Sequence, residues 1–409
     1  MSEWERVRLD EVIALDVDAV PVMATASYDI VGVLNRGRGL LFREPIAGDE
    51  TSYKTLNRIR PNQIVYSRLK AFEGAITVAP NDLGEVYASQ EFPTFTCGER
   101  MLPEYFRLLT TTKRLWEQLQ ALSTGMGGRR ERVKPADFLT IEIPCPSTSE
   151  QARIVDLMAA VDAQIEALEA EADAGHNFCS IQRSQLVTTP EGRAETPLGE
   201  VMELHHGWAF PASGCRPPLG DGTPRLIRIG DFARNRRSHF DPGRSDEFTG
   251  DYPERFLLSA GDLLVVMTCQ TPDGAILGWP MRVPPAGGPY LHNQRIGRVE
   301  VTASDRIDLR YAYHLFRSDQ LNRALCVTAA GTKVLHTSPT KILEVPVFLP
   351  PLDEQKRVAD ALDALDENVQ QCETELAHLR SFRSALLTSL LSQGIEIPES
   401  YDALLEGVS

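Results

Sequence analysis

No apolar run in this 409-residue chain approaches the ~18 residues that would suggest a membrane span. The opening residues, Met1-Ser2-Glu3-Trp4-Glu5-Arg6, hold neither the basic patch nor the apolar block of a signal peptide, so a cytoplasmic location away from membranes is expected. Cysteine is sparse and odd in number. Its seven residues (Cys97, Cys145, Cys179, Cys215, Cys269, Cys326 and Cys372) stand no closer than 34 positions apart, which excludes a dense disulfide framework and any CxxC metal pair. Catalytic signatures are missing too. There is no HExxH, no GxSxG and no GxGxxG after a strand, and Gly331-Thr332-Lys333 has Cys326 where the first glycine of a phosphate loop would stand. The run Gly125-Met126-Gly127-Gly128 reads as a helix C-cap and turn. An amino-group methyltransferase would need an Asn/Asp-Pro-Pro-aromatic tetrad, and none is present. His205-His206 lacks a neighbouring carboxylate or thiol at ligand spacing, so no metal is expected there. The expectation is a non-catalytic recognition module or scaffold.

Basic charge is short as well: 42 Lys and Arg against 57 Asp and Glu, a net charge of −15. That balance argues against a nucleic-acid partner until it is divided along the chain. Residues 1–149 carry net −2, residues 150–195 net −6, residues 196–352 net +1 and residues 353–409 net −8. Nearly all the acidity therefore lies in two short stretches. The two large blocks are close to neutral, and a neutral block can still present a basic face.

What is present is a repeat. Shifted by 204 residues, Glu150-Gln151-x-Arg153-x-x-Asp156 falls on Glu354-Gln355-x-Arg357-x-x-Asp360, inside a gapless match running from Gly127/Gly331 to Leu186/Leu390. Fifteen of those 60 positions are identical, where composition alone would give about four. Upstream, Leu9-x-Glu11-Val12 echoes Leu198-x-Glu200-Val201, and Gly74-Ala75-Ile76 echoes Gly274-Ala275-Ile276. The chain reads as variable block, helical segment, variable block, helical segment.

In the helical segments Ile154, Met158, Val161, Ile165, Leu168 and Ala172 follow alternating 4,3 spacing, the apolar seam of a coiled coil. Their partners at +204 are Val358, Leu362, Leu365, Val369, Cys372 and Leu376. Prolines precede both stretches and acids fill their first turns, as helix starts require. At ~1.5 Å per residue such helices would reach about 54–60 Å, with Gly175 a candidate interruption of the first. Packing of each helix on its own domain is the alternative to helix-on-helix pairing. The blocks hold short β-branched runs that read as strands: Ile64-Val65-Tyr66, Ala75 to Val78, Arg225 to Ile229, Leu263 to Met267 and Ile296 to Val301. Pro103 to Ala121 and Leu309 to Leu325 each read as one helix.

At this point the residues resemble a known family. Arg132-Val133-Lys134-Pro135-x-Asp137-Phe138-Leu139-x-Ile141-Glu142-Ile143-Pro144-x-Pro146 followed by Glu150-Gln151-x-Arg153-Ile154-Val155 is similar to the specificity subunit of type I restriction-modification enzymes. The second copy, Val345-Pro346-Val347-Phe348-Leu349-Pro350-Pro351-Leu352-Asp353-Glu354-Gln355-Lys356-Arg357-Val358, is closer still to that pattern. Ile64-Val65-Tyr66-Ser67-Arg68-Leu69, Ile227-Arg228-Ile229-Gly230-Asp231, Gly261-Asp262-Leu263-Leu264-Val265 and Asn293-Gln294-Arg295-Ile296 also look like its recurring strings.

The resemblance implies an α+β fold. Two similar target recognition domains, mixed β-rich with helices, would be separated by two long helices pairing as an antiparallel coiled coil with pseudo-two-fold symmetry. Residues 1–149 and 196–352 would be the recognition domains, 150–195 the central spacer helix and linker, and 353–409 the C-terminal spacer helix and tail. Each domain would read one half of a bipartite, asymmetric site in double-stranded DNA, with half-sites ~34 Å apart per helical turn. The helices would dock two modification (methyltransferase) subunits, and restriction subunits would join them. S-adenosylmethionine and ATP would belong to those partners, with no cofactor in this chain. A coiled-coil adaptor that binds proteins but not DNA is the alternative.

Basic residues near strand ends or glycines are the expected DNA contacts, chiefly to phosphates. They are Arg36, Arg38, Arg68, Lys70, Arg129, Arg130, Arg132 and Lys134 in the first block, and Arg234, Arg236, Arg237, Arg295 and Lys333 in the second. Tyr28, Tyr66 and Trp208 could line a groove, but core packing is the favoured role for each.

Overall fold

The computed structural model describes residues 4–123, 132–186, 194–232, 245–398 and 400–401. The chain divides into two compact units. Residues Met1–Ala167 with Glu375–Ser409 form the first, and Leu168–Thr374 the second.

In the first unit a four-stranded antiparallel sheet is ordered Ile76–Val78, Ile64–Tyr66, Thr94–Cys97, Ile13–Leu15. Successive side chains of a strand point to opposite faces, and Ile64-Val65-Tyr66 buries both. Ile64 and Tyr66 join the core with Phe95, Tyr105, Phe106, Leu115 and Phe138. Val65 joins a second cluster with Val31, Val33, Ile59 and Val86, against the sheet Val86–Ala88, Thr55–Ile59, Asp18–Pro21. Tyr66, Phe95 and Phe138 stack with ring centroids 4.7–6.0 Å apart.

The second unit repeats this plan. Its four-stranded sheet is ordered Pro280–Arg282, Leu263–Val266, Ile296–Val301, Met202–His206. In both units the order along the chain is therefore third, second, fourth, first. A five-stranded sheet stands in place of the smaller one, and in it Arg225–Ile227 runs parallel to Tyr290–His292. Trp208, Phe210, Phe248 and Phe256 cluster beside it.

Each helix expected in one piece after the sheet is two. The first unit has Pro103–Thr110 and Lys113–Leu122, the second Leu309–Phe316 and Asp319–Thr328. The break has the same cause in both. Thr112 and Ser318 are extended, and their hydroxyls accept from the N–H groups of Leu115 and Leu321. A hydroxyl that competes for backbone donors starts a new helix rather than continuing the old one. Apolar periodicity does not register such a local competition.

Two long helices, Thr148–Leu186 and Leu352–Leu391, contribute to both units. Each is anchored by the repeated glutamine. Gln151 is fully buried; its amide donates to the carbonyls of Arg100 (2.8 Å) and Pro146 (2.9 Å), and its Oε1 accepts from Leu102 N–H (2.9 Å). Gln355, equally buried, does the same to Arg306 (2.8 Å), Pro350 (2.8 Å) and Asp308 N–H (3.0 Å). Identity across the repeat thus reports one local structure used twice.

The helices pair antiparallel inside each unit. In the first, Arg383 forms an ion pair with Asp162, and Ile154, Met158, Leu387 and Leu390 enter one core. In the second, Arg183 pairs with Asp366, His176 lies 2.9 Å from Glu373, and the Cys372 thiol donates to the Leu168 carbonyl at 3.4 Å. Of the seam positions, Ile154, Met158, Ile165, Leu362 and Leu376 are buried, while Val161, Leu168, Val358, Leu365 and Val369 are half-buried. Ala359, outside the 4,3 spacing, is buried in the core of the second unit with Val358 packed against it. Part of each helix therefore serves its own domain.

Gly175 does not interrupt its helix, contrary to expectation. A Cβ there would lie 2.6 Å from Cγ2 of Val369, so the glycine marks a close approach of the two backbones. Valine is stiff in a helix and cannot swing that methyl away. Gly175→Val is expected to destabilise the protein by about 1–2 kcal/mol, since overpacking outweighs the ~1 kcal/mol that removing a helical glycine returns. Thermal unfolding against Ala174→Val, at a solvent-facing position, checks it.

Candidate nucleic-acid interface

In the first unit three basic segments are tied to one another. Strands Val31–Val33 and Leu40–Phe42 form a hairpin whose turn carries Arg36 and Arg38, both exposed. Arg36 and Gly37 hold left-handed backbone, φ 62° and 68°. A side chain at Gly37 would strike the Thr110 carbonyl at 2.6 Å, which explains the glycine. Arg36 N–H donates to the Gly74 carbonyl (2.7 Å) and Asn35 to Glu73 (2.6 Å), locking the turn to the segment Ser67–Gly74. That segment holds Arg68 and Lys70. The Arg68 carbonyl in turn accepts from Val133 N–H (3.2 Å), and the Tyr66 hydroxyl donates to the Val133 carbonyl (3.0 Å). Arg132 and Lys134 flank Val133.

Arg36, Arg38, Arg68, Lys70, Arg132 and Lys134 are thus brought onto linked loops. Their engagement differs. Arg132 pairs with Glu91 at 3.0 Å, Arg38 donates to its neighbour Asn35, and Arg36 lies 5.8 Å from the Trp116 ring centre. Lys70 and Lys134 are exposed and make no side-chain hydrogen bond or ion pair among the described residues. Arg68 is half-buried, and its buried Nε has no hydrogen-bond partner among them. A buried donor left unpaired costs about 1–3 kcal/mol, so an acceptor supplied from outside would be favoured there. Arg129, Arg130 and the Gly125–Gly128 run lie outside the described residues, as do Arg234, Arg236 and Arg237.

In the second unit Arg295 and Lys333 are exposed and do not share a loop. Arg295 borders a cleft of about 520 Å³, also lined by Phe210, Arg228, Gln270, Asn293 and Gln294. The turn between strands Tyr290–His292 and Ile296–Val301 forms one wall. Its backbone is fixed at four points: Ile296 N–H to the Asn293 carbonyl (3.1 Å), Arg295 N–H to Asn293 Oδ1 (3.1 Å), Gln294 N–H to the Trp208 carbonyl (3.0 Å) and Met267 N–H to the Arg295 carbonyl (3.0 Å). Arg228, which follows the strand paired with Tyr290–His292, also lines the cleft and is paired with Asp246. Asp231 accepts from Arg228 N–H (2.6 Å) and the Ser245 hydroxyl (3.1 Å), and burial pushes its carboxyl above the ordinary value. Burial also holds His292, beneath the turn, down at about 4 and therefore neutral.

Tyr66 and Tyr28 are buried, and Trp208 is half-buried within its aromatic cluster. Half-buried His205 lies 3.0 Å from Glu300. No helix among the described residues is long and apolar enough to cross a membrane. Gln151 and Gln355 were legible as repeated letters, but their anchoring role needed the fold. Gln270 and Gln294 carry no charge and so escape a search for basic loops.

Two α+β units on one plan, each with an anchored long helix, define a tandem-repeat protein. The chain belongs to the type I restriction modification DNA specificity domain family, which it matches over residues 1–173 and again over 190–379. It is 28% identical over 200 residues to the type I restriction enzyme EcoBI specificity subunit of Escherichia coli, covering 48% of this chain and 38% of that one. It is 22% identical over 284 residues to the MjaVIII specificity subunit of Methanocaldococcus jannaschii, covering 64% and 63%. Both matches span less than two thirds of the curated relatives' length. Among solved structures, a chain from work on complex assembly and conformational transition of the type I R-M system superposes with a TM-score of 0.60 at 18% identity, covering 96% of this chain and 98% of that one. The type I restriction-modification S subunit from M. genitalium gives 0.55 at 15%, covering 97% of both. At such identities the likeness is one of fold.

Proposed function

We propose that this chain is the DNA-reading subunit of a type I restriction-modification complex. Each recognition block reads one half of a bipartite, asymmetric site, and the long helices dock two modification subunits. The observation that carries this reading is the family match doubled onto two sheets of identical strand order. The linked basic loops of the first unit, with the unpartnered Arg68 donor, support duplex DNA as the ligand. The chain itself catalyses neither reaction. Methyl transfer from S-adenosylmethionine belongs to the modification subunits, and ATP-driven cleavage to restriction subunits where these join.

The near-neutral charge of both blocks favours a second reading, an adaptor that binds proteins alone. Duplex binding separates the two. With the methyltransferase partner present, affinity should fall steeply as salt rises, because each neutralised phosphate releases counterions. Arg36→Ala with Arg38→Ala should weaken binding on all sequences alike and reduce the salt slope by roughly one per lost contact. Arg129→Ala with Arg130→Ala is the matching test outside the described loops. Affinity unchanged in a double variant removes that pair from the interface. No duplex retained by the unaltered complex at low salt favours the adaptor.

A further inference from the structure

We infer that the cleft of the second unit is a base-reading notch, in which Arg295 reads a guanine and Gln294, beside Gln270, reads an adjacent adenine. The inference rests on the DNA-reading function proposed above and names the side chains that would carry it in the second block.

Three observations converge. The first is pairing. Arg295, Gln294 and Gln270 are exposed and make no side-chain hydrogen bond or ion pair among the described residues. Four other arginines of this block, Arg216, Arg225, Arg228 and Arg298, face carboxylates, whereas Arg255 lies over the Phe256 ring and Arg323 donates to a backbone carbonyl. The second is rigidity beneath the free side chains. Of the four hydrogen bonds that hold the 293–296 turn, three are between backbone groups and the fourth spends the Asn293 side chain on Arg295 N–H, which makes Asn293 a positioning residue. The Met267 N–H bond to the Arg295 carbonyl also ties the turn to the segment that continues through the short strand Thr268–Cys269 to Gln270. A fixed backbone lowers the ordering cost when a side chain engages its target.

The third is the charge of the rest of the lining, where carboxylates stand among the cations. Here Arg228 is neutralised by Asp246, and Asp231 adds a further carboxyl whose oxygens are already occupied. Phosphates are disfavoured beside those carboxylates, whereas the donor and acceptor edges of bases are not. The side chains left free match such edges: a guanidinium forks onto guanine O6 and N7, and a carboxamide pairs with adenine N6 and N7.

The test selects duplexes from a randomised pool with the complete complex of this chain and its methyltransferase partner, unaltered or carrying Arg295→Lys, Arg295→Ala or Gln294→Ala. Arg295→Lys keeps the charge and loses the fork. It should bind random duplex as before, bind the preferred duplex about 10-fold more weakly, and cease to require guanine at one position of one half-site. Gln294→Ala should relax an adenine in the same half-site. Both side chains are exposed, so thermal unfolding should not move, and a variant that does unfold early is replaced by its conservative partner, Gln294→Asn or Arg295→Lys. An unchanged selected sequence in every variant overturns the inference. So does an equal loss on all sequences, which would mark phosphate contact. If the unaltered complex selects no sequence at all, the DNA-reading function itself falls, a result distinct from either.

Discussion

Gln355→Ala should destabilise the protein by about 3 kcal/mol or more, and Gln151→Ala by a similar amount. Each side chain is fully buried and serves three backbone groups, two carbonyls and one N–H. Truncation leaves those groups dry and unpaired, at about 1–3 kcal/mol each, and opens a small cavity besides. Against a net stability of ~5–15 kcal/mol that is a large fraction. Two of the groups, the Arg306 carbonyl and Asp308 N–H, also tie the start of the long helix to the segment preceding the helix Leu309–Phe316, so the loss should loosen that junction first. Urea or thermal unfolding measures the loss, and hydrogen exchange at Asp308 N–H locates it. The solvent-facing Gln370→Ala is the comparison, expected within about 0.5 kcal/mol of the unaltered protein. A Gln355→Ala variant as stable as Gln370→Ala would show that water replaces the amide at no cost.

The same residue shows what a sequence does and does not disclose. Spacing and identity announced that Glu-Gln-x-Arg occurs twice at the start of a helix, because a buried side chain with three partners tolerates few substitutes. They could not announce its distant partners, Arg306 and Asp308, which lie about fifty positions away. Strands such as Ile64–Tyr66 and Leu263–Val266 were readable for a similar reason: a core on both faces leaves only apolar letters. Errors fell where a local polar contact overrides periodicity, at Thr112 and Ser318, and where a glycine serves packing rather than breaking, at Gly175. The candidate interface was harder. Positive charge marks Arg36, Arg68 and Arg132, which do lie on linked loops, but charge in a sequence does not separate paired from unpaired cations. Whether a guanidinium is already spent on a carboxylate is decided by tertiary structure, and so is the convergence of neutral Gln270 and Gln294 on one cleft.

Exchange of residues 1–149 for the corresponding block of a relative with a different target should replace one half of the methylated sequence entirely and leave the other half, with its spacing, unchanged. The physical basis is the self-sufficiency of the block. The Gln151 anchor draws on Arg100, Leu102 and Pro146, all inside the exchanged segment, so the incoming block brings its own socket for the helix. What it must match is the retained apolar face of Ile154, Met158, Leu387 and Leu390, and large-to-large apolar contacts of that kind usually tolerate repacking. Residues 196–352, with the Gln294-Arg295 turn, are untouched. Mapping of methylated bases across the host genome, with each version of the gene supplied in place of the original, reads the outcome directly. A new first half joined to the old second half is the expected result. Simultaneous change of both halves would mean that recognition is a property of the assembled chain, and the assignment of one half-site to each block would have to be given up.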